Sequence, residues 1–426
     1  MPKKRARLGL LEQANIYGGL KMKKTMVELF AGVGGFRLGM DRLNSGWETV
    51  WFSQWEPGAR TQWAYDCYVR HFGKSADLNG NDSSSGNDIS EVNKEAIPNH
   101  SLLVGGFPCQ DYSVAHSLST SKGIEGKKGV LWWQIRDTLI AKETPFVLLE
   151  NVDRLIKSPA KQRGRDFGVI LACLNELNYS VEWRVVNAAL YGGAQRRRRT
   201  FIFAYKNTTK YGKKMKKSSM EDVINNAGLM VQAFPVISET KQFKEIELPE
   251  DIIEVSDKFK FEFENAGFMR DGIIYTAKIS EKEEKPITLK EILEPCDNED
   301  YFIKSSDLPS WVEMKGAKKK ERTSAEGFTY TFSEGAIPFL DYYNKPGRTM
   351  LTSEGTKNRS THIVADPATG TIRLLTPVEC ERLQGFDDNW TEGMPDRMRR
   401  FCMGNALVVP MITRIGQHLT VIVDSE

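Results

Sequence analysis

The chain has 426 residues, of which 40% are hydrophobic and 27% charged, with a net charge of +3 and a mean hydropathy of −0.43. No apolar run approaches the roughly 18–20 residues of a membrane span, and no secretory signal pattern follows the basic start, so we expect a soluble cytoplasmic protein. The six cysteines lie far apart without a Cys-x-x-Cys pair. This spacing argues against a disulfide scaffold and against a structural metal site.

The first two hundred residues alternate short β-rich runs with helical patterns. Five apolar runs bounded by Gly, Pro or Asn indicate buried strands, at residues 26–31, 49–53, 101–107, 145–152 and 200–205. In the helical stretch 166–177, five apolar side chains fall on one face: Phe167, Ile170, Leu171, Leu174 and Leu177. Strands separated by helices predict an α/β fold with a doubly wound, mostly parallel sheet.

The rhythm of strands and helices stops after Tyr205. The following 150 or so residues mix Gly, Pro and charges without a clear period, and helical patterns return at 376–386 and 404–419. The sequence therefore predicts three parts: a basic tail at 1–24 that we expect to be disordered, a first domain at 25–206 completed by 396–426, and a smaller second domain at 207–395.

Charge is distributed unevenly along the chain. Residues 1–24 carry seven Lys and Arg against one Glu, whereas residues 239–300 have a net charge of −9. Basic clusters occur at 196–199, 206–217, 315–322 and 397–400. Such local clusters suit a phosphate backbone, although any one of them could be an ordinary solvated face.

A glycine-rich turn follows the first predicted strand. Residues 30–35, FAGVGG, place three glycines before a helical pattern, where the backbone can turn tightly and approach a ligand at the helix N-terminus. Glu56 lies 21 residues past Gly35, where a carboxylate in such sheets meets ribose hydroxyls. Asp88 lies near the end of the next unit. A plain tight turn explains the glycines alone, but the added carboxylates favour an adenosine-containing ligand.

Two further motifs stand at the ends of predicted strands. In GGFPCQDYS, residues 105–113, Cys109 follows a strand and a proline. A cysteine at this edge of an open α/β sheet favours a nucleophile over an inert core residue. Glu150 closes the run FVLL, where a carboxylate is a candidate for proton transfer. The polar stretch 110–128 is typical of a mobile lid.

Four arginines follow Gln195, just before the last predicted strand of the first domain. In a strand, Arg197 and Arg199 share one side, and Arg196 and Arg198 share the other. Adjacent guanidinium groups repel one another, so some of them should meet carboxylates or anions.

In this order, the motifs resemble those of the DNA (cytosine-5) methyltransferase family. FAGVGGF is similar to its S-adenosylmethionine turn, GGFPCQDYS to its nucleophile loop, ENV to its proton-donor motif and QRRRR to its Gln-x-Arg-x-Arg motif. RLLTPVECERLQGF at 373–386 and GNALVVP at 404–410 resemble two later motifs. The resemblance covers about 25–206 and 345–426, and the insert between them fits the family's target-recognition domain.

The resemblance implies the Rossmann-like fold of S-adenosylmethionine-dependent methyltransferases and a covalent mechanism. Cys109 would add to C6 of a flipped-out cytosine while Glu150 hydrogen-bonds N3 and N4 of the ring. By family position Arg197 would hold the cytosine O2, with Arg199 nearby. The implied cofactor-binding residues are Phe30, Gly32, Val33, Gly34, Gly35, Glu56, Pro57, Asp88, Ile89, Gly106, Pro108, Leu131, Asn405 and Ala406.

The resemblance therefore predicts sequence-specific methylation of cytosine C5 in double-stranded DNA, by a monomer that acts at the nucleoid of a prokaryote. A protective role in restriction–modification would add a cognate restriction endonuclease as a partner. Two alternatives stay open. A tRNA cytosine-5 methyltransferase would not need an insert of about 140 residues. A catalytically silent DNA-binding module would not need intact PCQ, ENV and Gln-x-Arg-x-Arg motifs.

Overall fold

The computed structural model describes residues 21–107, 131–323, 327 and 329–426. The strands are β1 Thr25–Leu29, β2 Glu48–Ser53, β3 Leu102–Gly106, β4 Phe146–Val152, β5 Tyr179–Asn187, β6 Arg198–Lys206, β7 Lys244–Glu247, β8 Ala266–Arg270, β9 Ile273–Ala277, β10 Lys318–Thr323, β11 Thr329–Glu334, β12 Ile363–Ala365 and β13 Ile372–Leu374. The five strands predicted from the sequence are confirmed to within two residues at each end.

The α-helices are α1 Gly35–Asp41, α2 Trp63–Phe72, α3 Leu131–Lys142, α4 Arg165–Glu176, α5 Lys210–Met215, α6 Met220–Asp222, α7 Leu229–Ala233, α8 Ile252–Lys258, α9 Leu289–Ile292, α10 Leu308–Lys315, α11 Pro377–Gln384, α12 Asp396–Asn405 and α13 Val409–Asp424. No single helix in the described ranges has the length and hydropathy of a membrane span; only the bent pair of α12 and α13 meets those limits when taken together.

A nine-stranded mixed sheet runs in the order β2-β1-β3-β4-β6-β5-β8-β9-β7. The first four strands pair in parallel, and every pair from β4 to β6 onwards is antiparallel. The α/β fold with helices on both faces is as predicted. The parallel half carries the motifs, because parallel strands connected by helices place their carboxyl ends at one edge.

Alternate residues of each parallel strand pack on opposite faces of the sheet. In β4, Phe146 and Leu148 join the apolar cluster that contains α1 and α13, whereas Val147 and Leu149 join the cluster that contains α3 and α4. Strands that are buried on both faces read as continuous apolar runs, which explains why the sequence pattern located them. The predicted apolar face of α4 is confirmed, since Phe167, Ile170, Leu171 and Leu174 are fully buried and Leu177 packs beside them.

The sheet continues into the segment that we assigned to the second domain. Strands β8 and β9 form a hairpin, and β8 pairs with β5 through Val181–Met269 to Arg184–Ala266. Residues 244–277 therefore extend the first domain's sheet, which differs from the expected boundary at 206. The hairpin turn is Asp271-Gly272, whose φ angles of 51° and 79° are those of a two-residue turn. Asp-Gly between apolar runs was the available sequence signal for this hairpin.

Helix α11 has strong local start and stop signals. Thr376 and Glu379 form a capping box, Pro377 occupies the first turn, and Gly385 ends the helix with a φ of 77°. The Glu379 carboxylate also holds a residue outside the helix. Its two oxygens accept hydrogen bonds from the Arg373 guanidinium, at 2.7 and 2.8 Å. Arg373 Nε also donates to Asp366 at 3.0 Å, and all three side chains are fully buried.

We predict that Glu379→Ala destabilises the fold strongly, since it leaves the Arg373 charge buried with only one carboxylate and removes a helix cap. The free energy of unfolding should fall by about 3–5 kcal/mol. Urea unfolding followed by circular dichroism measures the change. The control is Glu254→Ala, which breaks an exposed pair with Lys258 within α8 and should cost at most about 0.5 kcal/mol. Equal unfolding midpoints for the two variants would contradict the prediction.

Candidate active site

The glycine-rich turn connects β1 to α1 through an unusual backbone. Phe30, Gly32 and Gly34 have positive φ angles of 55°, 55° and 87°. A Cβ on Gly32 would have no described atom within 4 Å, whereas one on Gly34 would lie 2.5 Å from the Phe72 ring. Gly32 therefore faces open space, and Gly34 is needed for the close approach of α2.

A cavity of about 250 Å³ opens beside this turn. Of the residues predicted to bind a cofactor, it is lined by Phe30, Gly32, Val33, Gly35, Glu56, Gly106, Asn405 and Ala406. Glu150, predicted from a different motif, lines the same cavity. The structure thus brings together residues from the two ends of the chain, from β3 and β4, and from the turns that follow β1 and β2.

The other described residues that were predicted to bind a cofactor, Gly34 among them, do not line this cavity. Asp88 is half-buried, and its carboxylate accepts the Ser90 backbone N–H at 2.9 Å. Ile89 is buried in the apolar cluster on the α3 face, where Leu131 also packs. Pro57 is exposed. Pro108, Cys109 and the stretch 110–128 lie outside the described residues.

Glu56 presents a carboxylate oxygen that is buried without a hydrogen-bond partner among the described atoms. Burial raises the pKa of Glu56, and the Ala64 backbone N–H offsets this rise in part. The loop is held by Gln62, whose side chain accepts the Glu56 N–H at 2.7 Å and donates to the Glu56 carbonyl at 2.9 Å. A buried acceptor with no donor fits a ligand hydroxyl group.

Glu150 lies on β4 directly opposite Gly106, the last residue of β3. Arg199, on the antiparallel strand β6, has its Nε 2.8 Å from Glu150 Oε1, and both side chains are largely buried. The pairing of Glu150 with Phe201 places Arg199 as its diagonal neighbour on the same face. The strand register therefore assembles this ion pair at the cavity.

Asn151 fixes the chain where it leaves β3. Its Nδ2 donates to the Phe107 carbonyl at 2.8 Å, and its Oδ1 accepts the Val152 N–H at 2.8 Å. The segment that leads to Cys109 therefore starts beside Glu150, two residues before the cysteine.

Arg197 does not face the cavity, which differs from the expected contact with a cytosine oxygen. Its two terminal nitrogens donate to the Met350 and Gly404 carbonyls, both at 2.9 Å, and the side chain is buried. Burial lowers the pKa of Arg197 to about 9. Gln195 holds the same residue, Met350, because its Oε1 accepts the Met350 N–H at 2.8 Å. Gln195 and Arg197 therefore hold the backbone at Met350 and Gly404 against the segment that enters β6.

The predicted alternation of the four arginines is confirmed. Arg196 and Arg198 are exposed, and Arg198 lies 3.4 Å from Asp153. Arg197 is buried, and Arg199 is largely buried beside Glu150.

Sequence analysis missed three residues that shape the cavity. Gln62 holds the Glu56 loop, as described above. Gln54 accepts the Gly32 N–H at 2.7 Å, and Trp390 donates its indole N–H to the Val33 carbonyl at 2.8 Å. Trp390 lies 357 residues from Val33 along the chain, so no local pattern could have indicated the contact.

The comparisons with known proteins agree with this geometry. Residues 24–420 match the model of the C-5 cytosine-specific DNA methylase family. The chain belongs to this family. It is a DNA (cytosine-5) methyltransferase.

Two relatives illustrate the similarity. The chain is 48% identical over 402 residues to the type II methyltransferase M.Sau3AI of Staphylococcus aureus, an alignment that covers 93% of this chain and 95% of the relative. It is 26% identical to the type II methyltransferase M.DsaV of Dactylococcopsis salina, over 95% of this chain and 88% of the relative.

Solved structures share the fold at low sequence identity. A crystal structure of a Spodoptera frugiperda DNMT2 mutant superposes with a TM-score of 0.57 at 13% identity, over 93% of this methyltransferase and 99% of that chain. The Dnmt2 methyltransferase of S. pombe gives a TM-score of 0.55 at 14% identity, over 94% and 98% of the two chains. These similarities support the α/β architecture alone.

We predict that Arg197 and Arg199 differ in what they support. Arg197→Ala leaves two buried carbonyls without donors and should lower the free energy of unfolding by about 2–4 kcal/mol. Arg199→Ala leaves the largely buried Glu150 carboxylate without its partner and should cost about 1–3 kcal/mol in stability. It should also slow methyl transfer on the order of a hundredfold, which Arg197→Ala should not do. Chemical unfolding and single-turnover kinetics measure the two effects. A larger loss of activity in Arg197→Ala than in Arg199→Ala would contradict this prediction.

Proposed function

We propose that this enzyme transfers a methyl group from S-adenosylmethionine to C5 of cytosine at a specific sequence in double-stranded DNA, as the protective member of a restriction–modification system. The convergence of the glycine turn, the Glu56 carboxylate and the Glu150–Arg199 pair on one cavity supports this most directly. The type II methyltransferase M.Sau3AI, similar along nearly its whole length, supports the restriction–modification role.

The cavity residues fit S-adenosylmethionine. The partnerless Glu56 oxygen would accept a ribose hydroxyl, and Gly32, with no atom near its Cβ position, would let the ligand approach the backbone. Phe30 and Asn405 would line the same space. Asp88 would act through the adenine amino group, as the family resemblance implies. When bound, the cofactor supplies an electrophilic methyl group on a sulfonium sulfur.

The chain's own residues would activate the cytosine. Carbon C5 is a poor nucleophile within an aromatic ring, so the Cys109 thiolate adds to C6 and breaks the aromaticity temporarily. Glu150 holds a proton at N3 and accepts a hydrogen bond from N4, which stabilises the charge that this addition creates. We assign Arg199, rather than Arg197, to the cytosine O2, because Arg199 lies beside Glu150. The addition makes C5 nucleophilic, so C5 would bond to the methyl carbon as that carbon's bond to the sulfonium sulfur breaks, leaving a neutral thioether. A base would then take the C5 proton, and the C6–sulfur bond would break to release the Cys109 thiolate and restore the ring.

The target base must leave the duplex for this chemistry, at a cost of a few kcal/mol. Two of the four basic clusters present three or more exposed cations: Lys213, Lys214, Lys216 and Lys217 at the end of α5 and just after it, and Lys319, Lys320 and Arg322 on β10. We assign these to phosphate contacts. The cluster at 397–400 is different, because Arg399 pairs with Glu381 and Arg400 donates to the Leu375 carbonyl.

One assay separates DNA methylation from the two alternatives. Labelled S-adenosylmethionine is incubated with duplex DNA or with tRNA, and Cys109→Ser serves as the inactive control. Label in DNA alone supports the proposal, label in tRNA alone supports the tRNA enzyme, and label in neither supports a silent DNA-binding module. Bisulfite sequencing of DNA from a host without other methyltransferases then identifies the recognition sequence.

We predict that Cys109→Ala abolishes methyl transfer and leaves cofactor binding intact, because the side chain acts covalently. Duplex DNA with 5-fluorocytosine at the target should trap an adduct on Cys109, since fluorine cannot leave as a proton does. Peptide mass spectrometry locates the adduct. The control is Cys296→Ala, which removes a partly exposed cysteine outside the cavity and should keep both activity and adduct. An active enzyme without an adduct on Cys109 would refute this role.

We predict opposite effects of Glu56 on binding and on stability. Glu56→Ala should weaken S-adenosylmethionine binding by roughly 1.5–3 kcal/mol, as expected for a charged hydrogen bond. Isothermal titration calorimetry measures the change. Unchanged affinity would remove Glu56 from the cofactor site.

The stability effect follows from the raised pKa. Since burial raises the pKa of Glu56 above its ordinary 4.5, the folded state binds the proton more tightly, and stability is lost as the pH rises through this range. The unliganded Glu56→Gln variant does not lose stability in this way, because glutamine does not ionise. Its melting temperature should exceed that of the wild type at about pH 8, and the difference should shrink toward about pH 5. A constant difference across that range would argue against this origin.

A further inference from the structure

The glycine turn needs restraint from outside itself. Three of its six residues, including the non-glycine Phe30, have positive φ angles. Such a conformation costs of order 1–3 kcal/mol for a non-glycine residue and persists only where surrounding structure holds it. The glycines that make the turn possible also leave it with the largest freedom to change shape.

Two side chains hold the backbone of two adjacent residues of the turn, Gly32 and Val33. Gln54, which follows β2, accepts the Gly32 N–H at 2.7 Å. Trp390, which follows α11, donates to the Val33 carbonyl at 2.8 Å. Trp390 is 6% exposed and does not line the described cavity, so its direct link to a lining residue is the hydrogen bond to Val33.

Trp390 is itself held from several directions. Its ring stacks on His71, with centroids 3.6 Å apart and planes 4° from parallel. It also packs at a tilt against Phe72 and Phe386, with centroids 5.7 and 5.5 Å away. Its backbone carbonyl accepts hydrogen bonds from Arg70 and His71. The indole N–H is therefore fixed in space before any ligand arrives.

We propose that Trp390 is a positioning residue for the methyl donor: by holding the Val33 carbonyl, it keeps the turn in its binding conformation. This inference rests on the proposed function, because it assumes that the turn binds S-adenosylmethionine. Preorganisation of this kind raises affinity by reducing the ordering that binding requires. The effect should fall on cofactor binding and not on the chemistry at Glu150.

The test removes the N–H that the Val33 carbonyl accepts. Trp390→Phe keeps an aromatic ring against His71 but has no donor for Val33. Trp183→Phe is the matched control, because Trp183 is also buried and donates to a backbone carbonyl, that of Glu264 at 3.4 Å, away from the cavity. Each variant is measured as the full chain, with S-adenosylmethionine as the probe, by calorimetry and by steady-state kinetics on duplex DNA.

The Trp390→Phe variant should bind S-adenosylmethionine about three- to tenfold more weakly, the range of one net hydrogen bond. Its KM for the cofactor should rise in parallel, while kcat at saturating cofactor stays within about twofold of the wild type. Trp183→Phe should change neither constant beyond about twofold. This split between KM and kcat is one that a merely structural role would not produce.

Two results would overturn the inference, and they are distinguishable from each other. Equal affinities in wild type and Trp390→Phe would remove Trp390 from the cofactor site and leave the proposed function intact. No binding of S-adenosylmethionine by the wild type would overturn the proposed function together with the inference. If Trp390→Phe does not fold, benzothienylalanine at position 390 makes the same test, because it keeps the ring size and lacks the N–H.

Discussion

The parallel pairing of β1, β3 and β4 is the constraint on which the rest of the site depends. Because these strands run in one direction, the glycine turn, the Phe107 carbonyl and Glu150 all emerge at one edge of the sheet. Strand β6 returns antiparallel and brings Arg199 to the same edge. A slip of β4 by one residue would turn Glu150 to the opposite face, so the buried apolar alternation of β4 also sets the face on which Glu150 lies.

Buried polar side chains then attach the later parts of the chain to this edge. Gln195 and Arg197 bind the backbone at Met350 and Gly404, and Arg373 joins Asp366 to Glu379. Each of these groups would be costly to bury alone, and each finds its partners on a different segment. The contacts bring Asn405 and Ala406 to the cavity although they lie about 370 residues from the glycine turn.

Sequence pattern was informative where a local rule applied and incomplete where it did not. Strands buried on both faces, the apolar face of α4 and the alternation of the four arginines each follow from short-range periodicity. The hairpin of β8 and β9 had a local signal in Asp271-Gly272, but its pairing with β5 joins residues more than 80 positions apart. A strand's partner in a sheet is set by tertiary packing, which a single segment does not encode.

By itself, the sequence determined the order of the motifs, the strand–helix rhythm and the chemical groups available to the site. Only the tertiary structure decided which groups share the cavity. Arg197 and Arg199 should share one side of a strand by their spacing. In the structure, however, Arg197 is covered by the backbone at residues 350 and 404, whereas Arg199 pairs with Glu150. Trp390 reaches Val33 only because the segment after α11 packs against the end of α2, at His71 and Phe72. A hydrogen bond requires contact within about 3 Å, and distance along the chain says nothing about distance in space.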